Sequence, residues 1–226
     1  VVDFPEIDEL DMNPVAVKDR KPVAVDARIV LREIDASSPH HLAISPYPEQ
    51  YVSRATSEEG RKIRVRPIQP EDAPLFEALF DHLSKESIYK RFFRHIKSPS
   101  REMIARFTQI DYDREMALAA IDEEEDKGML GVARIMGDPD GRTGEFSVMV
   151  GDPWQGQGIG AILLWRCLEI MKERSMETVW GTVMPENKGM LRLGKKLGFE
   201  AEWDQAARAY LMTIDLTDVN GKEMHP

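Results

Sequence analysis

The chain has 226 residues, 42% of them hydrophobic, enough for one core of ordinary size and an appendage. Acids outnumber bases 40 to 30, a formal charge of −10, so no nucleic-acid partner is expected. No run is apolar and long enough to span a bilayer, no signal peptide is visible, and one cysteine, Cys167, excludes an internal disulfide; a cytoplasmic protein with no membrane partner is expected.

The first sixty residues carry 12 acids against 6 bases, more than half of the net charge. Ser37-Ser38-Pro39, Ser45-Pro46 and Pro48 predict a linker over 32–60. Arg61 to Ile68 alternates charged and apolar residues, as a strand with one wet face does. Pro70-Glu71-Asp72 then opens a helix whose apolar face is Leu75, Phe76, Leu79, Phe80 and Leu83. Ser84 can cap a helical stretch through Phe93, and Ser98-Pro99 can start another through Phe107. Met116 to Ile121 and Gly128 to Met136 read as strands, joined by a solvated hairpin at 122–127. Thr143 to Val150 is the next strand and Ala161 to Lys172 a helix. A strand at Thr178 to Met184, a helix at Asn187 to Leu197 and a hairpin from Phe199 to Ile214 complete the order.

The segment joining the strand that ends at Val150 to the helix after it is the most informative in the chain. It reads Gly151-Asp152-Pro153-Trp154-Gln155-Gly156-Gln157-Gly158-Ile159-Gly160. The three glycines at 156, 158 and 160 let backbone approach a ligand with no Cβ in the way. The first N–H groups of the following helix lack intrahelical partners and sit at the positive end of its dipole. Such a loop suits a phosphate or pyrophosphate. No Lys-Ser or Lys-Thr follows, so it is not a P-loop, and the third glycine comes too early for a dinucleotide turn.

Gln155-x-x-Gly158-x-Gly160 after a strand resembles the acetyl-CoA pyrophosphate loop of the GCN5-related N-acetyltransferases, the GNAT superfamily. The element order, counted as β-α-α-β-β-β-α-β-α-β-β over 61–215, matches that α/β fold, a mixed, mostly antiparallel sheet flanked by helices. Leu197-Gly198-Phe199 matches its closing turn. The resemblance implies acetyl-CoA as co-substrate. It implies cofactor contacts from Val148, Met149, Val150, Gln155, Gly156, Gln157, Gly158, Ile159, Gly160 and Asn187. Residues 1–31, with Asn13-Pro14 and Asp26-Ala27-Arg28, resemble the end of the ATP-grasp region of NDP-forming acyl-CoA synthetases. There the residues matching Asn13 and Asp26 hold Mg²⁺ with a nucleotide. The rest of that site is missing here, so no bound metal is expected. The two resemblances together, with Arg66-Pro67-Ile68-Gln69-Pro70-Glu71-Asp72 and Ile110-Asp111-Tyr112-Asp113-Arg114-Glu115, are similar to the bacterial Pat protein lysine acetyltransferases. This implies a protein acceptor, typically an acyl-CoA synthetase. Residues 216–226 form a tail.

A lysine ammonium, whose ordinary pKa is near 10.4, must lose its proton before it attacks. Glu145 is the candidate base, on the strand leading to the loop; Pat-type enzymes carry a glutamate base at the matching position. Phe146, Val148 and Val150 beside it predict an apolar setting. Asp111 and Asp113 are rival carboxylates, or turn residues. Many GNAT enzymes acting on small amines place a tyrosine four residues before the Gly-Phe turn. Gly194 stands there, which removes that general acid. Asn187 can contact the cofactor or cap its helix. His40 and His41 fall in the linker, and His82 and His95 lack ligands at metal-site spacing. Cys167 sits among apolar helix residues as a core thiol, and Trp154 either shields the cofactor or anchors the turn. Two other functions fit the residues: acetylation of a small amine, and a non-catalytic CoA-sensing module.

Overall fold

A computed structural model describes residues 4, 6–31, 45–124 and 128–217. They fall into two compact units, Val1–Pro46 and Tyr47–Pro226. The described part of the first holds β1 (Ile7–Asp11), β2 (Val15–Lys18), β3 (Lys21–Ala24) and β4 (Arg28–Leu31). β1 pairs antiparallel with β4, and β2 with β3. Asp19 and Arg20 both take positive φ, 52° and 62°, which is the twist a two-residue hairpin turn needs. Leu10, Val15, Val17, Val23, Ile29 and Leu31 are all exposed. Two-stranded sheets of this kind have little core of their own.

The second unit carries β5 (Ser53–Thr56), β6 (Lys62–Pro67), α1 (Ala73–Asp81), α2 (Lys85–Phe92), α3 (Arg101–Thr108), β7 (Glu115–Asp122), β8 (Met129–Gly137) and β9 (Thr143–Val150). It continues with α4 (Ile159–Glu173), β10 (Thr178–Val183), α5 (Lys188–Leu197), β11 (Glu200–Asp204) and β12 (Ala209–Asp215). These strands form one sheet in the order β11-β12-β10-β9-β8-β7-β6-β5. Every neighbouring pair is antiparallel except β9–β10. β7 is buried along its whole length because helices cover both faces of the sheet. Its residues alternate: Met116, Leu118 and Ala120 join the layer under α4, while Ala117, Ala119 and Ile121 join the layer under α1 and α3.

The three helical stretches read between β6 and β7 are all present, one more than the family element count carries. Three sequence expectations change. Ser84 caps α2 as expected, but α3 is capped by Ser100, whose Oγ accepts from the Met103 N–H at 3.2 Å; the start expected at Ser98 comes two residues early. Residues 53–56, read as linker, form β5 and pair with β6 from Ser53↔Val65 to Thr56↔Lys62. The strand is short, polar and at the sheet edge, so it has almost no hydrophobic signal. Asp122 is not in a solvated hairpin. It ends β7, 4% exposed, and takes a 2.6 Å bond from Arg61 Nη1. Residues 32–44, with His40 and His41, and residues 125–127 lie outside the described residues, as do 218–226 of the tail.

Candidate active site

β9 and β10 pair only from Thr143↔Thr178 to Glu145↔Trp180. Beyond Glu145 the two strands part, with the Phe146 ring against Gly181, where a Cβ would come within 2.6 Å of it. The parting leaves the rest of β9 without a strand partner on that side. A cleft of about 1360 Å³ lies there, walled by β9, the glycine loop, the end of α2 and the start of α5.

The loop is held open by its own backbone and braced from behind. Gly156 and Gly158 have φ of 77° and 81°, the left-handed region that costs other residues energy. Gly158 is the residue before α4, and no side chain caps that helix. The first N–H groups of a 15-residue helix therefore face the cleft for an anion to take. Asp152 anchors the loop to α2, accepting from the Ser84 N–H at 3.0 Å and Ser87 Oγ at 2.6 Å. Partial burial alone would raise its carboxyl; the Ser87 and Ser84 hydrogen bonds outweigh that and hold it below its ordinary value. Gln155 Nε2 donates to the Val150 carbonyl at 3.1 Å and to Asp152 Oδ1 at 2.9 Å. Trp154 stacks edge-on with His82 at 4.7 Å and lines the cleft.

Of the ten residues the resemblance assigns to the cofactor, eight line the cleft: Val148, Met149, Val150, Gln155, Gly156, Gly158, Gly160 and Asn187. The side chains of Gln157 and Ile159 point inward. Ile159 is 1% exposed in the core, and Gln157 Nε2 donates to the Pro153 carbonyl at 3.1 Å. Only the backbone of these two belongs to the loop. Asn187 is a cap as well as a lining residue, its Oδ1 accepting from the Met190 N–H at 3.1 Å.

Glu145 lines the cleft but is exposed, not in the apolar setting its neighbours suggest. Strand alternation explains this: Phe146 and Val148 turn to the opposite face, into the layer under α4, while Glu145 shares its face with Ser147 and Met149. Asp111 and Asp113 are not among the cleft residues. Asp111 Oδ1 accepts from the Asp113 N–H at 3.1 Å in the turn before β7. At Gly194 a Cβ would come within 1.9 Å of Met212 Cε, the end of a buried methionine, so that position faces β12 and not the cleft. Cys167 is fully buried, and burial pushes its thiol up to about 12, so it stays a protonated core residue. Among the described residues no group of three or more His, Cys, Asp or Glu is arranged to hold a metal.

Several cleft residues carry no local sequence signal. Arg91, at the end of α2, donates from Nη2 to Ser147 Oγ at 2.7 Å and lies 4.8 Å from the Phe92 ring centroid. Desolvation and the nearby Arg134 charge lower its pKa to about 10, while Glu145 pulls the other way. Beneath it Arg134 bonds Glu115 and the Phe107 carbonyl, and Arg106 reaches Glu115 at 3.1 Å. Glu58, from the turn after β5, stands beside the loop. Its N–H donates to the Gln157 carbonyl at 2.9 Å, and Oε1 lies 3.9 Å from Lys196 Nζ.

A splayed sheet with a glycine loop and an uncapped helix N-terminus at the split makes an anion cradle at the side of an open cleft. Comparison with known proteins names the family. A model of the acetyltransferase (GNAT) domain matches residues 62–200, and the chain belongs to that family of acetyl-CoA-dependent N-acetyltransferases. An ATP-grasp domain model matches residues 1–31. The chain is 25% identical over 148 residues to an acetyltransferase of Pseudomonas aeruginosa, covering 65% of this chain and 80% of that one. It is 24% identical over 189 residues to the acetyltransferase Pat of Mycolicibacterium smegmatis, covering 81% of this chain but 53% of that protein. The crystal structure of the GNAT domain of S. lividans PAT superposes with a TM-score of 0.70 at 24% identity, over 75% of this chain and 99% of that one.

Proposed function

We propose that this enzyme acetylates the ε-amine of lysine in a protein, an acyl-CoA synthetase being the expected target, with Glu145 as the base. The observation that carries this is the size and openness of the cleft. About 1360 Å³ exceeds the roughly 1000 Å³ at the top of the usual small-molecule range, leaving room for a polypeptide beside the cofactor. The similarity to Pat proteins supports the same reading, as does the glycine at 194, where many small-amine enzymes carry a tyrosine acid.

On this reading the pyrophosphate of CoA rests on the N–H groups at Gly156, Gly158 and Gly160, with the pantetheine along Val148 to Val150. Glu145 takes a proton from the lysine ammonium. The freed nitrogen lone pair attacks the thioester carbon, and a β9 backbone N–H supports the oxyanion. The C–S bond then breaks as the nitrogen gives up its second proton to water, leaving a neutral amide, and CoA departs as a thiolate that takes that proton back from the solvent. Glu145 lies close to the point where β9 and β10 part, so base and thioester share one wall. Incubation with acetyl-CoA and purified acyl-CoA synthetases, with modified sites read by mass spectrometry, tests the proposal. One or a few lysines should be acetylated far above the rate without enzyme. Uniform acetylation at that background rate, beside brisk turnover of a small amine, would overturn it.

A further inference from the structure

The cleft is more positive than the chain that encloses it. Lys90, Arg91, Arg94, Lys188, Arg192 and Lys196 line it, against Glu58, Glu145 and Glu186, in a protein of formal charge −10. The six cations form two groups. Lys188, Arg192 and Lys196 belong to α5, next to the loop, where the phosphates of CoA account for them. Lys90, Arg91 and Arg94 stand at the end of α2, beside Ser147 and Glu145. Lys90 is near enough for its charge to act on Asp152 of the loop, but Arg91 is bonded to Ser147, three residues before Val150, so roughly 10 Å of strand separates that contact from the loop. The part of the cofactor that reaches there, pantetheine and thioester, is neutral. Arg91 and Arg94 therefore have no anion to answer them from the cofactor.

Lys90 is already engaged with Glu86, at 2.5 Å. Arg91 and Arg94 form no ion pair among the described residues. Arg91 has the greater need of one. It is half-buried between Phe92, Phe107 and β9, with the Arg134 charge behind it and only a neutral hydroxyl, Ser147 Oγ, bonded to it. A desolvated guanidinium without a carboxylate is costly. Glu145 stands near it on the face of β9 that carries Ser147, and its charge acts on Arg91, but the two form no ion pair. The acceptor faces a related problem, because its ammonium must enter a cleft whose cations outnumber its acids. One carboxylate carried in beside the amine answers both.

We infer that the acceptor bears a carboxylate next to its reacting amine, received by Arg91 and Arg94: in a protein, an Asp or Glu within a residue or two of the target lysine. The inference rests on the acetyl-transfer reading of the cleft, with a protein acceptor.

Octapeptides with one lysine flanked by Glu, by Gln or by Lys test it, each assayed for kcat/KM with acetyl-CoA. The expected order is Glu above Gln above Lys, with at least tenfold between the first two. That gap should shrink as KCl rises. Arg91→Gln and Arg94→Gln should each narrow it, with acetyl-CoA affinity by calorimetry within twofold of wild type. Arg91→Glu should favour the Lys-flanked peptide. Equal wild-type rates on the Glu and Gln peptides overturn the inference, a result that depends on no variant folding. Failure of the protein-acceptor reading looks different: no peptide is acetylated, but small amines are. In that case 4-aminobutyrate against its amide is the same test. A tenfold preference for the acid, lost in Arg91→Gln, sustains the carboxylate pairing, and equality overturns it. If nothing is turned over, calorimetry of Glu and Gln peptides with the CoA-loaded protein decides in the same way.

Discussion

Around the turn after β9 the cleft is made of backbone, whereas at the end of α2 it is made of side chains. The first half works by what its residues lack. Gly156 and Gly158 take positive φ, and nothing caps α4. The second half works by charges that the fold gathers from separate elements: Arg91 from α2, Glu145 and Ser147 from β9. A backbone site tolerates changes that keep small residues in place, and fails when bulk or negative charge enters. A side-chain site fails when a single functional group is replaced.

The sharpest way to break the side-chain half is Glu145→Gln, which keeps size and hydrogen bonding but accepts no proton. Turnover of a protein acceptor near pH 7 should fall by about 10² to 10⁴, the usual worth of a general base. Acetyl-CoA affinity should barely change. The mutant rate should climb steeply towards pH 10, as the free-amine fraction of a lysine with an ordinary pKa near 10.4 rises. Stopped assays from pH 6 to 10 check this. A mutant within about threefold of wild type throughout would remove Glu145 from the chemistry.

The backbone half should break through binding instead. Gly158→Glu puts a β-carbon 3.0 Å from Glu58 Cγ at a residue with φ of 81°, and a carboxylate where an anion is to bind. CoA affinity by calorimetry should weaken at least tenfold, or about 1.4 kcal/mol. Gly158→Ala separates the causes, since it keeps the strained φ and adds no charge; its loss should be smaller. Unchanged affinity in a folded Gly158→Glu protein would disprove the loop assignment.

Glu58 sharpens the comparison, because it is a side chain placed on the backbone half. Its carboxylate, exposed and 3.9 Å from Lys196, lies beside the phosphate loop. Glu58→Gln frees Lys196 and removes a repulsive charge. CoA should bind about two- to fivefold more tightly, the scale of one exposed charge pair. The gain should fade in high salt. Weaker binding would mean that Glu58 supports the loop more than it opposes the ligand.

What the sequence made legible follows the same division. The glycine loop is contiguous, so its spacing and its place between a strand and a helix could be read directly. The succession of elements along the chain was readable for a similar reason, since β7 to β9 carry strong apolar runs, whereas the order of strands in the sheet was not read from it. Arg91 was not readable. It stands in a helix of mixed charge, and its meaning comes from Ser147 and Glu145, which only folding brings near it. The setting of Glu145 was misjudged because sequence neighbours on a strand face opposite ways. β5 escaped notice because an edge strand of Ser, Arg, Ala and Thr is held by backbone pairing and offers little side-chain pattern. Glu58 was lost with it, inside what read as linker.

That last region supplies the smallest expected effect. Every residue lining the cleft lies between Glu58 and Ala207, within the unit that begins at Tyr47. Removing residues 1–46 should leave CoA affinity within about twofold of the full chain, a change under 0.5 kcal/mol. The position of the cut matters. Tyr47 Oη donates to the Pro67 carbonyl at 3.1 Å, and its ring meets Tyr112 edge-on at 5.8 Å. Tyr51 packs on the core with Arg174 over its ring, and β5 covers the edge of β6. A cut after residue 60 removes all of these together with Glu58. It should lower the thermal midpoint and expose a strand edge prone to association. Calorimetry and melting of the two truncations side by side test the boundary. Loss of CoA binding on removing 1–46, in a protein that still melts cooperatively, would show that the first unit helps to complete the cofactor half.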